Sequence, residues 1–138
     1  MRRRSFLKES KKDKYIYEPL MHWFSEPKYI NNPNFRGLAI FENSIRAKYF
    51  ADLFIYNHGI RQIRYSHSPH PDCLYFESGA KIFVEVESPN LHEKLAGLEF
   101  QKIFIDYRSM RNRFYHLLRS HDQSLPMQMY YSNDIYHL

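Results

Sequence analysis

The stretch from residue 74 to 106, LYFESGAKIFVEVESPNLHEKLAGLEFQKIFID, sets the terms on which this chain can fold. It opens with a strand pair turning at Ser78-Gly79 and continues through a linker ending in Leu95-Ala96-Gly97. It closes on the apolar run Ile103-Phe104-Ile105, which reads as a central strand carrying Asp106 at its tip. In the second hairpin strand, Ile82, Val84 and Val86 share one face, while Lys81, Phe83, Glu85 and Glu87 share the other. The first face is core and the second is partly wet.

The flanking segments alternate in kind. Tyr15 to Phe24 is apolar and aromatic, broken by Pro19, and reads as a short helix or an extended strap. Residues 25–36 are loop-like, with Pro27, Pro33 and paired asparagines favouring turns. Gly37 to Phe41 reads as a buried strand, and Asn43 or Ser44 then caps a helix to about Asn57. On that helix Ala47, Phe50, Ala51 and Phe54 fall on one inward face. Ile60 to Tyr65 is another strand, leading into the loop SHSPHPD. Beyond Asp106 a helix is expected from about Arg108 to Arg119, with Met110, Phe114, Leu117 and Leu118 inward, and then a strand from Met127 to Tyr131. Strands alternating with helices, and only one clear hairpin, argue for an α/β fold: a single three-layer domain with a mostly parallel sheet.

At 138 residues the chain suits one domain, placed at 15–138 behind a basic arm of residues 1–14. The net charge is +5, and much of the excess sits in that arm. There Arg2, Arg3, Arg4, Lys8, Lys11, Lys12 and Lys14 oppose only Glu9 and Asp13. Such an arm is attracted to phosphates whatever their sequence, although a solvated tail has the same composition. A lone cysteine, Cys73, excludes an internal disulfide and fits a reducing cytoplasm. No apolar run approaches membrane-spanning length, and none follows the arginines as a signal peptide requires.

Taken together, these pieces resemble the middle of the ATPase domain of phage terminase large subunits, the DNA-packaging motors with a P-loop NTPase fold. The resemblance runs from about Gly37 to Asn133 and rests on order and spacing. GLAIF and SIRAKYFADLFIYN resemble the strand and long helix after the phosphate loop, and CLYFESGAKIFVEVES resembles the family hairpin. KLAGLEFQKIFID resembles the approach to the acidic strand end. MQMYYSN resembles the strand whose hydroxyl residue and Asn, here Ser132 and Asn133, couple hydrolysis to movement. Two departures bear on activity. The phosphate-binding loop is missing, the region before Gly37 reading KYINNPNFRG, and the family's Asp-Glu pair is Asp106-Tyr107. A phenol stays protonated near neutral pH and is a poor general base. The resemblance therefore implies a degenerate, catalytically silent motor fold of phage or mobile-element origin, with no cofactor, in the cytoplasm of a bacterial host. Its expected partner is nucleic acid, or a motor, nuclease or defence complex that it regulates, inhibits or decoys.

A second resemblance uses the same region differently. A helix, a strand, Pro71-Asp72, a turn and then Val84-Glu85-Val86-Glu87 resemble the core of PD-(D/E)XK nucleases, in which an Asp and a Glu hold Mg²⁺. Asp72, Glu85 and Glu87 would be the site, Glu85 and Glu87 standing roughly 6.6 Å apart along one strand face. Glu87 occupies the family's Lys position, and two solvent-facing carboxylates on an amphipathic strand would look the same. His67, His70 and Cys73, with Asp72 between them and His58 or His92 as recruits, form an incomplete zinc pattern, and no metal is assigned. Arg108, Arg111 and Arg119, with Tyr107 and Tyr115, could grip a nucleic-acid strand by charge and stacking, or form a solvated helix face.

Overall fold

The computed structural model describes residues 17–58, 63–64, 73–106, 114–120, 122 and 124–131. The chain enters as helix α1 (residues 17–24), whose Tyr17, Leu20, Met21, Trp23 and Phe24 are buried. The segment expected to be a loop contains one helical turn, α2 (Pro27–Ile30), with Pro27 at its start, where a missing N–H removes no helical bond. Strand β1 (Arg36–Phe41) follows, then α3 (Ser44–His58) and β2 (Ile63–Arg64). Next come β3 (Cys73–Phe76), β4 (Lys81–Val86), the short turn α4 (Leu91–Lys94) and β5 (Lys102–Ile105). A 3₁₀ turn (Tyr115–Leu117) leads towards β6 (Gln128–Tyr131).

The strands form one six-stranded sheet in the order β2-β3-β4-β1-β5-β6. β4, β1, β5 and β6 run parallel to one another. β3 is antiparallel to β4, as the hairpin reading required, and Gly79 closes the turn at φ +96°, a conformation that side chains with a Cβ resist. β2 is antiparallel to β3, a second reversed pairing beyond the single hairpin expected from sequence. β5 lies inside the sheet between β1 and β6, as a central strand should.

Strand alternation divides the core in two. Ala39, Phe41, Ile82, Val84 and Phe104 face α1 and α3, where Ala47, Phe50, Ala51 and Phe54 supply the inward helix face read from sequence. Leu38, Ile40, Ile103 and Ile105 face Leu91 and Leu95 around α4 and Phe114, Leu117 and Leu118 beyond it. The sheet is thus covered on both sides, which parallel strands require. On the first side Gly37 makes room for Phe24, since a Cβ there would stand 2.9 Å from the ring.

The helix expected to reach Arg119 ends earlier among the described residues. Phe100 N–H donates to the Leu117 carbonyl at 2.8 Å, and Arg119 N–H donates to the Phe100 carbonyl at 3.0 Å. This bridge takes the backbone that a continuing helix would use, so Arg119 follows the 3₁₀ turn on extended chain. Gln101 fastens the same junction: its Oε1 accepts from Arg36 N–H at 2.7 Å and its Nε2 donates to the Arg119 carbonyl at 3.0 Å.

Lys102, unremarked in the sequence, is fully buried at the start of β5. Its ammonium donates to the Trp23 carbonyl and to Glu26 Oε1 at 2.7 Å, and it lies 4.0 Å from the Tyr29 ring centroid and 4.8 Å from that of Trp23. Burial lowers its pKa, and Glu26 works against that shift. An ammonium taken out of water needs each of these partners. Glu26→Ala should therefore destabilise the fold by about 1–3 kcal/mol in urea denaturation. Adding Lys102→Met should recover most of that loss, because the charge is then gone. An unchanged unfolding midpoint in Glu26→Ala would mean that the carbonyl and the rings suffice.

Candidate functional site

In an open α/β sheet, ligands bind where neighbouring strands send their connections to opposite faces. β1 leads into α3 on one face, and the chain beyond β5 comes to pack Phe114, Leu117 and Leu118 on the other. By that rule a ligand crevice belongs at the carboxyl ends of β1 and β5, where Asp106 stands.

Local structure fixes each member of this site. Asp106 N–H donates to the Ile40 carbonyl at 2.9 Å, extending the β1–β5 ladder by one step. Its Oδ2 accepts from the first free amide beyond β1, Glu42 N–H, at 3.1 Å. Asn43, one of the two predicted caps, accepts from Arg46 N–H at 3.0 Å through its side chain and starts α3. That cap places Arg46 in the first helical turn, with its guanidinium over the strand ends. Arg46 Nη1 lies 3.3 Å from Asp106 Oδ1 and 3.4 Å from Oδ2, and donates to the Tyr17 hydroxyl at 3.4 Å. Glu42 Oε2 stands 3.9 Å from Arg46 Nε.

The pair is asymmetric in exposure: the Asp106 side chain is 3% accessible and that of Arg46 is 32%. Burial raises the Asp106 pKa above its ordinary 3.8; the Glu42 amide and Arg46 pull it down, without cancelling the burial, while the Glu42 carboxylate adds to the rise. Chemically, this is a sunken acid joined to a half-exposed guanidinium that a second carboxylate, Glu42, also approaches.

The other predicted site residues fall elsewhere. Glu85, expected on a partly wet strand face, is buried, because α4 folds over that face and Lys94 Nζ meets Glu85 Oε2 at 3.0 Å. Glu87 follows β4 and donates its N–H to the Phe41 carbonyl at 2.9 Å, close to the same strand ends. Arg119 is exposed at the opposite end of the sheet, near Gln101. Arg2, Arg3, Arg4, Lys11, Lys12, Asp72, Tyr107, Arg108, Arg111, Ser132 and Asn133 lie outside the described residues.

Metal chemistry finds little support in this donor set. Asp106 is engaged by Arg46 and the Glu42 amide, and Glu85 by Lys94. No group of three or more His, Cys, Asp or Glu side chains suited to a metal occurs among the described residues. The zinc recruits are also separated by the sheet. His58 stacks on Phe54 on the α3 side, whereas His92 packs against Phe114 and His116 on the other. Burial raises the Cys73 thiol pKa to about 11, which keeps it protonated and a poor ligand.

Arg46, Tyr17 and Lys94 were missed in sequence. Arg46 had one available signal, its position three residues after an Asn cap; Tyr17 and Lys94 reach their partners only through the fold. No protein-family model, curated protein or solved structure matches the chain.

A raised carboxyl pKa means that the folded state holds its proton more tightly than the unfolded chain. Asp106 therefore stabilises the fold below pH 3.8, and that contribution is lost as pH rises through its folded-state pKa. Asp106→Asn keeps a neutral acceptor for Glu42 N–H and should gain thermal stability relative to the parent between pH 4 and 7. A variant that falls behind as pH rises would show that the Arg46 ion pair outweighs burial.

Proposed function

We propose that this is a non-catalytic binding protein with a degenerate, terminase-like α/β fold, of phage or mobile-element origin. It engages nucleic acid, or a machine that processes nucleic acid, as a regulator or decoy. The observation that carries this reading is the commitment of Asp106. The strand-end acid of an interior parallel strand, which a motor would direct at a metal ion, is here joined to Arg46 of its own chain. What the crevice then offers to solvent is a partly open arginine, a group suited to phosphate. The basic arm would add sequence-independent attraction. No helix among the described residues is long and apolar enough to cross a membrane.

Two measurements test this. The purified chain should show no ATP turnover above background with Mg²⁺; turnover abolished by Asp106→Ala would overturn the silent-motor reading. Labelled single-stranded DNA should bind with an affinity that falls steeply with salt. Joint Arg2, Arg3 and Arg4→Ala substitution should flatten that dependence by roughly three phosphate contacts' worth of slope. If no DNA is bound, a stoichiometric protein companion recovered from lysate after nuclease treatment would point to the decoy arm. Failure of both would sink the proposal.

The nuclease reading turns on the same pair: Lys94 would have to release Glu85 before Mg²⁺ could bind, and would then supply an ammonium in place of the lysine that Glu87 displaces. In that reading Asp72, Glu85 and Glu87 would hold Mg²⁺. Plasmid cleavage with Mg²⁺ or Mn²⁺ that disappears in Glu85→Ala would establish it.

A further inference from the structure

At the amino-terminal end of the sheet, opposite the Asp106 crevice, lies a cleft of about 530 Å³. Its size falls within the range of small-molecule sites. The parallel register pairs Arg36 with Lys81 across β1 and β4, so both side chains leave the sheet on one face from positions about 4.8 Å apart. Both line the cleft, and neither forms a salt bridge among the described residues. One corner of the Arg36 guanidinium is held in place, Nη1 donating to the carbonyls of Pro33, Phe35 and Gly79 at 3.0, 2.7 and 3.1 Å. Lys81 Nζ rests 5.4 Å from the Tyr75 ring centroid.

The remaining wall is apolar in part. Phe83 meets Phe100 edge to face at 5.5 Å, and Leu98, 38% exposed, forms the lip. Two acids also line the cleft. Asp122 accepts from Ser124 Oγ at 2.6 Å and Ser124 N–H at 3.0 Å in its own loop and from the distant Asn32 Nδ2 at 2.8 Å; these bonds, the Ser124 hydroxyl first, hold its pKa below the usual value. Glu99 is engaged as well. Asp122 keeps its negative charge, because its hydrogen-bond donors are neutral, so the lining carries both signs and the adjacent Arg36 and Lys81 form its positive side.

We propose that this cleft binds a small organic anion, a carboxylate or phosphate on an aromatic or branched apolar body. The anionic head sits between Arg36 and Lys81, and the body lies against Phe83 and Leu98. This site is separate from the Asp106 crevice, and its occupancy does not depend on the function proposed for that crevice.

Amide chemical-shift titrations of the full chain test it, with phenyl phosphate and 3-phenylpropionate as probes and 2-phenylethanol as the uncharged control. Saturating shifts centred on residues 34–36, 81–83 and 97–101 are expected, with millimolar or tighter dissociation constants. The tighter of the two anions identifies the head group. Lys81→Met should weaken binding about tenfold, as should Leu98→Asp, which sets a like charge at the exposed lip. The proposal is overturned if neither anion saturates by about 10 mM, which corresponds to negligible affinity. It is equally overturned if the alcohol binds as well as the anions, or if both variants bind like the parent.

Discussion

β1 has a parallel neighbour on each side, and most of the molecule follows from that constraint. A strand so placed must be buried on both faces, so its alternating side chains need two separate covers. Ala39 and Phe41 take theirs from α1 and α3; Leu38 and Ile40 take theirs from α4 and the Phe114–Leu118 segment. Sending successive connections to opposite faces makes the strand ends of β1 and β5 the place for a ligand crevice. Asp106 occupies it because β5 lies in register with β1 and stops one residue earlier.

The two ends of the sheet solve opposite electrostatic problems. At the carboxyl end an acid is desolvated and a helix-borne arginine offsets part of the penalty. At the amino end a lysine is desolvated, and a half-exposed glutamate, a carbonyl and two aromatic rings surround it. Lys102 thereby ties α1 and α2 to β5, and Trp23 extends the tie to β6 by donating to Gln128 Oε1 at 2.8 Å. A buried charge satisfied by several elements at once favours one arrangement of those elements over others.

That polar scaffolding also shapes the second cleft. Gln101 and Arg36 spend their hydrogen bonds joining β1, β5, the hairpin turn and the Arg119 segment. Their rigidity leaves Lys81 and the remaining edge of Arg36 beside a wall of Phe83 and Leu98. The adjacent Arg36 and Lys81 and the acid-anchored Arg46 thus stand at opposite ends of the same parallel strands.

Sequence alone determined the apolar periodicities: the inward face of α3, the hairpin at Ser78-Gly79, the interior strand ending at Asp106 and the strand at residues 128–131. These are local, because side-chain spacing of 2 or 3.6 residues is written in neighbouring positions. The antiparallel pairing of β2 with β3, the early end of the helix before Arg119 and the burial of Glu85 were not legible there. Each depends on residues distant in sequence competing for one backbone or one charge. The same holds for the candidate site. Asp106 could be picked out from the strand it ends, but its raised pKa and its union with Arg46 and Tyr17 exist only once α1, α3 and β5 converge. Tertiary structure decided them because desolvation belongs to a place in the fold, and no residue carries it alone.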